Sequence, residues 1–114
     1  MITDLKYLQQ MTGNDSRMME EMIDLFLLQL AEMYSEFKLL LENKNWLELS
    51  RLAHKIKSSA LVMGVEDMAN EMKELELLAR EGNSIEKYPE YIARFKNMTD
   101  LAEAELRTFL ALSR

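Results

Sequence analysis

Apolar residues recur at steps of three and four along nearly the whole chain, and little interrupts them, since the 114 residues include only one proline and three glycines. That spacing gathers apolar side chains on one face of an α-helix, whereas a half-buried strand needs strict alternation. One stripe runs through Met19, Met22, Ile23, Phe26, Leu30, Met33, Phe37 and Leu40, and a second through Trp46, Leu49, Leu52, Ala53, Ile56, Ala60 and Met63. A third uses Val65, Met68, Met72, Leu75 and Ala79, and a fourth Ile92, Phe95, Thr99, Ala102, Leu106 and Phe109.

Turn formers separate the stripes at Thr12-Gly13-Asn14, Asn43-Lys44-Asn45, Gly64 and Gly82-Asn83. Thr3 is expected to cap a short first helix carrying Leu5 and Leu8, and Asp15 or Ser16 the long second helix, while the third starts around Asn45. Gly64 should stop the third helix, because glycine just past a helix adopts the left-handed conformation that closes the last turn. The fourth helix should begin near Glu66, and the last either at Ser84, as a cap, or at Pro89, which suits a first turn. Four long amphipathic helices with short connections predict an all-α fold, an up-and-down antiparallel four-helix bundle with a short N-terminal helix, in one domain over residues 1–114. The ten methionines are expected to be adaptable core filler on the inner stripes.

Charge and composition narrow the function classes. A formal charge of −6 opposes nucleic-acid and anionic membrane surfaces. With no cysteine and a single histidine, thiolate chemistry and a zinc site of the usual type are excluded. The N-terminal Met1-Ile2-Thr3-Asp4 does not look like a secretory signal, and the apolar run Leu25 to Leu30 is far below the about 20 residues that a membrane span needs, so a cytoplasmic location is expected. No glycine-rich phosphate loop or nucleophile paired with a second histidine suggests a metabolic enzyme.

The single histidine, His54, projects away from the core line of the third helix and should be exposed. Leu47, Ser50, Arg51, Lys57, Ser58 and Leu61 neighbour it at helical spacing. From Lys44 to Lys57 four basic residues, Lys44, Arg51, Lys55 and Lys57, stand against one acid, Glu48, in an otherwise acidic chain. Such a patch beside exposed apolar side chains suits docking onto an acidic, concave partner surface. Leu47, Ser50, Arg51, Lys55, Ser58 and Leu61 are the candidate partner-binding residues. A neutral imidazole is a competent nitrogen nucleophile, and Lys57, one turn on, is spaced to offset the charge of a phosphoryl group on His54.

The segment Ala53-His54-Lys55-Ile56-Lys57-Ser58-Ser59-Ala60-Leu61-Val62-Met63-Gly64 resembles the signature of the histidine-phosphotransfer (HPt) family: alanine before the histidine, an aliphatic residue two after, lysine three after, glycine ten after. Leu75-Glu76 with Ala79-Arg80, and Leu25-Phe26, look like that family's other landmarks. The resemblance implies a four-helix bundle with accessory helices, in which His54 accepts a phosphoryl group at Nε2 from an aspartyl phosphate on a receiver domain and relays it to or from a response regulator. It implies that Lys57 stabilises the phosphoryl group, that Gly64 is structural, and that Glu76 and Arg80 flank the histidine as supporting groups, although their spacing equally fits a surface ion pair. The chain would be a monomeric phosphocarrier and not an enzyme in its own right. It would bind no cofactor, Mg2+ being supplied at the partner receiver's site, and its partners would be receiver domains of response regulators or hybrid sensor kinases. Ser58 departs from the usual glycine; it keeps the site small, and its hydroxyl is a candidate contact to the phosphoryl group or the imidazole. The alternative is a bundle that docks or inhibits receiver domains without being phosphorylated. A sensor-kinase phosphoacceptor helix fits less well, because it usually carries proline where this chain has Ser59.

Overall fold

The computed structural model describes residues 2–112. Among them the chain forms α1 (Lys6–Thr12), α2 (Ser16–Glu42), α3 (Trp46–Val62), α4 (Glu66–Glu81) and α5 (Tyr88–Leu112), with one 3-10 turn at Ile85–Lys87 and no strand. Each long helix packs on its chain neighbour, and α5 returns to α2, which closes the ring of the bundle. The connections at 43–45 and 63–65 are short enough to force antiparallel neighbours. The molecule measures 45 × 20 × 20 Å, its long dimension close to that of α2. No helix among the described residues is long and apolar enough to cross a membrane.

The apolar stripes meet in one core in which Ile23, Leu30, Phe37, Leu49, Ile56, Met68, Met72, Leu75, Phe95 and Leu106 are fully buried. Local signals set most helix ends. The Asp15 carboxylate accepts from the Arg17 and Met18 N–H groups, and the Asn45 side chain accepts from the Glu48 N–H. At the other end of α2, Phe37 meets Phe95 edge-on at 5.4 Å, joining α2 to α5.

Several expectations need correction. Thr3 does not cap α1: its N–H and hydroxyl both donate to Glu105 on α5, at 2.9 and 2.7 Å, and Asp4 instead accepts from the Lys6 N–H. A tertiary carboxylate has outcompeted the local cap. Ser84 caps nothing and sits in the left-handed region; α5 begins at Tyr88, with Pro89 in the first turn, where its missing N–H is harmless. Tyr88, absent from the expected stripe, is fully buried, its hydroxyl reaching the carbonyls of Leu78 and Asn83 and its ring edge-on to Trp46. Met11 and Met18 are exposed and thus not core filler, while Met19, Met33, Met63, Met68 and Met72 are buried; Met1 lies outside the described residues.

Gly64 does more than end α3. Its φ of +68° is a conformation that L side chains rarely adopt, and a Cβ placed there would lie 1.6 Å from the Asp4 carbonyl oxygen. The Asp4 N–H also donates to the Gly64 carbonyl at 2.9 Å, so the N-terminal segment is laid directly on this turn. Gly13 has a similar φ but open space around it. Gly64→Ala is therefore expected to lower unfolding free energy by about 2 kcal/mol or more, against about 1 kcal/mol for Gly13→Ala, as read from urea denaturation midpoints. Equal losses would mean that the Asp4 contact contributes nothing.

Candidate functional site

The inner face of α3 carries Leu49, Leu52, Ala53, Ile56 and Ala60 into the core, which turns His54 outward with its side chain 58% exposed. Lys57, one turn on, is half-buried, because it leans toward α4. There it meets Glu76, whose side chain is only 9% exposed. Alanines buried on both helices, Ala53 and Ala60 on α3 with Ala69 and Ala79 on α4, leave room for close approach of the two axes.

Three donors converge on the Glu76 carboxylate. His54 Nδ1 lies 3.0 Å from Oε2, Lys57 Nζ 3.2 Å from Oε1, and Arg80 Nη2, one turn along α4, 3.0 Å from Oε2. Burial would push the Glu76 carboxyl up, but hydrogen bonds from Lys57 and His54, together with their charges, outweigh it and hold the group below the ordinary glutamate range. An ionised carboxylate can only accept, so the neutral imidazole must carry its proton on Nδ1. The lone pair is then on Nε2, the ring nitrogen left free of this carboxylate. The arrangement produces an oriented nitrogen nucleophile with an ammonium group beside it.

Ser50 is not part of the surface. It is buried, and its hydroxyl donates to the Glu76 backbone carbonyl at 2.8 Å, because the close packing of α4 covers the flank of α3 where Ser50 lies. It pins the registry of α3 against α4 at the residue that holds the histidine. Ser58 is exposed, and its hydroxyl donates back to the His54 carbonyl at 3.2 Å. Leu47 and Leu61 are exposed one on either side of His54 along α3, Lys55 is exposed, and Arg51 is exposed and paired with Glu48. Gly64 lies at the end of α3, about 15 Å along the axis from His54. Arg80 and Glu76 do form the four-residue ion pair that their spacing allows, yet the pair is anchored to α3 and not merely solvated.

The sequence left the role of Glu76 open. The available signal was its position at the margin of the Leu75 and Ala79 stripe, where a carboxylate is half-committed to the interior and needs partners. Among the described residues, no group of three or more histidines and carboxylates could hold a metal ion.

A family model described as the Hpt domain matches residues 21–105, which takes in α3, α4 and all of the residues that converge on Glu76, and leaves α1 outside. No curated protein and no solved structure gives a significant match.

The acid sensitivity of the site has a definite sign. A carboxyl whose folded pKa is depressed adds stability above its unfolded value and loses it as pH falls through the folded one. Glu76→Gln is expected to be less stable than the parent at pH 7 by about 1–2 kcal/mol, the gap narrowing as pH falls below the ordinary glutamate range and closing as it passes through the depressed value of the folded parent's carboxyl. Thermal melts of both proteins between pH 7 and pH 3 measure it. A gap that stayed constant to pH 3 would show that Glu76 does not act through its charge.

Proposed function

The chain belongs to the Hpt domain family, whose members are phosphocarrier modules of phosphorelays and not classical enzymes, and from this premise we propose that His54 is the phosphoacceptor, loaded by an aspartyl phosphate on a receiver domain. Hpt domains generally interact with receiver domains, and the surroundings of His54 suit such a partner. Lys55 and Arg51 ring the histidine with positive charge facing what would be an acidic pocket, and Leu47 and Leu61 supply apolar contact along the same helix face.

The observation that carries this reading is the Nδ1 hydrogen bond to buried Glu76. With Nδ1 engaged, Nε2 attacks the phosphorus. The N–P bond forms as the P–O bond to the aspartate breaks, and the carboxylate departs with the bonding electrons. The Nδ1 proton stays on the ring, and the positive charge that develops there is met by Glu76. Lys57, 3.2 Å from Glu76, is near enough to turn its ammonium group toward the phosphoryl oxygens. Magnesium held in the receiver's own pocket would offset charge on the transferring group. Return transfer to a receiver is the same path reversed.

His54→Gln is expected to abolish phosphoryl acceptance while leaving the thermal melt nearly unchanged, since the ring is exposed and contributes no core contact. Lys57→Ala should still dock but accept about tenfold more slowly or hold the phosphoryl group less long. Incubation with a panel of receiver domains charged by acetyl phosphate in Mg2+, followed by detection of label on this chain, tests both. Label on His54→Gln equal to that on the parent would refute the assignment, and a parent that binds receivers but never takes label would instead be a docking module.

A further inference from the structure

The N-terminal segment is tied down at both sides of the bundle end. The Ile2 and Thr3 N–H groups donate to Glu105 at 2.8 and 2.9 Å, and the Thr3 hydroxyl adds a third bond at 2.7 Å. Asp4 is then fixed on the Gly64 turn. These ties matter because α1 has only seven residues, well short of the roughly 12 that a helix needs to persist alone. Leu8 anchors it in the core, but its outer side does not pack flat: Lys6, Tyr7, Gln10, Leu61, Glu66 and Asn70 line an open cleft of about 410 Å3. The orientation of α1, whose Leu8 and Thr12 are buried and whose preceding Leu5 packs against the core, is set in part by the segment before it.

The consequence falls on the face that carries His54. Leu61 lies seven residues after His54, on the same side of α3 and about 10 Å along its axis. Tyr7, Leu61 and Val62 line one shallow groove, and Tyr7 and Leu61 are both more than half exposed. A stable protein interface covers about 800 Å2 of each partner, a patch of roughly 16 Å radius, so one centred on His54 extends past Leu61 onto α1. Tyrosine, rigid and amphipathic, is well suited to such a contact.

Resting on the proposed function, we propose that Tyr7 is part of the surface that docks the receiver domain, and that Glu105 is the positioning residue that holds α1 so that Tyr7 lies beside Leu61. Glu105 is on α5 and acts only through the segment it binds. The occupant is the receiver that serves His54, because the groove continues the His54 face and the basic residues of that face, Arg51 and Lys55, complement an acidic phosphoryl-bearing pocket.

The test is a kinetic split, using the receiver domain from the panel that transfers fastest to the parent chain. Tyr7→Ala should raise the KM for the phosphorylated receiver about tenfold and Glu105→Ala about fivefold, each with kcat within twofold of the parent. The double variant should rise no further than about tenfold, since both changes act through one contact. Thr3→Ala, which removes a single bond of the three, should give a smaller rise in the same direction and keeps the question answerable if Glu105→Ala fails to fold. A parental KM in Tyr7→Ala, a fall in kcat without a change in KM in Glu105→Ala, or fully multiplicative effects in the double variant would overturn the proposal. If the parent itself accepts no phosphoryl group from any receiver, the assignment of function fails with it; normal acceptance by the parent with an insensitive Tyr7→Ala defeats the docking role alone.

Discussion

One nearly buried carboxylate organises the functional face of this molecule. Glu76 draws His54 and Lys57 from α3 and Arg80 from its own helix onto two oxygen atoms. A carboxylate this far from solvent is tolerated only when paired and hydrogen-bonded, so its need for partners is what fixes the orientation of the imidazole. The histidine is thus held by its inner nitrogen while the outer one stays open to a partner. The same interaction keeps Lys57 close, while Arg80 and His54 give the carboxylate two further partners.

The bundle's contribution is to bring the carboxylate to that spot. Small residues buried on α3 and α4 leave room for a close approach, the short Gly64 turn holds the two helices antiparallel, and Ser50 bonds the backbone of Glu76 itself. The packing of α3 on α4 is therefore inseparable from the geometry of the site. If His54 takes the phosphoryl group as proposed, orientation and charge are what this chain contributes, and the partner supplies the acidic pocket.

Periodicity and capping made most of the fold legible. The stripes of α2, α3, α4 and α5 and the ends at Asp15, Asn45, Gly64 and Gly82 follow from rules that act within one or two turns, and the exposed His54 followed from them as well. What local rules missed depends on contacts distant in sequence. Thr3 looked like a cap because nothing nearby reveals that Glu105, 102 residues later, would take its hydrogen bonds. Ser50 looked exposed because projection of α3 alone does not show how far α4 extends over its flank. Local spacing showed Glu76 only as half of an ion pair with Arg80, and its place beside the histidine came from the family resemblance, since its two other partners lie on another helix. Met11 and Met18 show that a residue type gives burial only on average; position on the helix decides it.

Glu76 holds the Nδ1 side of His54, and on the proposed function this leaves Nε2 to take the phosphoryl group. Nitrogen-15 and phosphorus-31 NMR of the chain, labelled in its single histidine and phosphorylated by a receiver, addresses it directly. Phosphorus coupled to Nε2, with the proton retained on Nδ1, is the expected result. Coupling to Nδ1, or a phosphorus signal with no coupling to the imidazole, would contradict it.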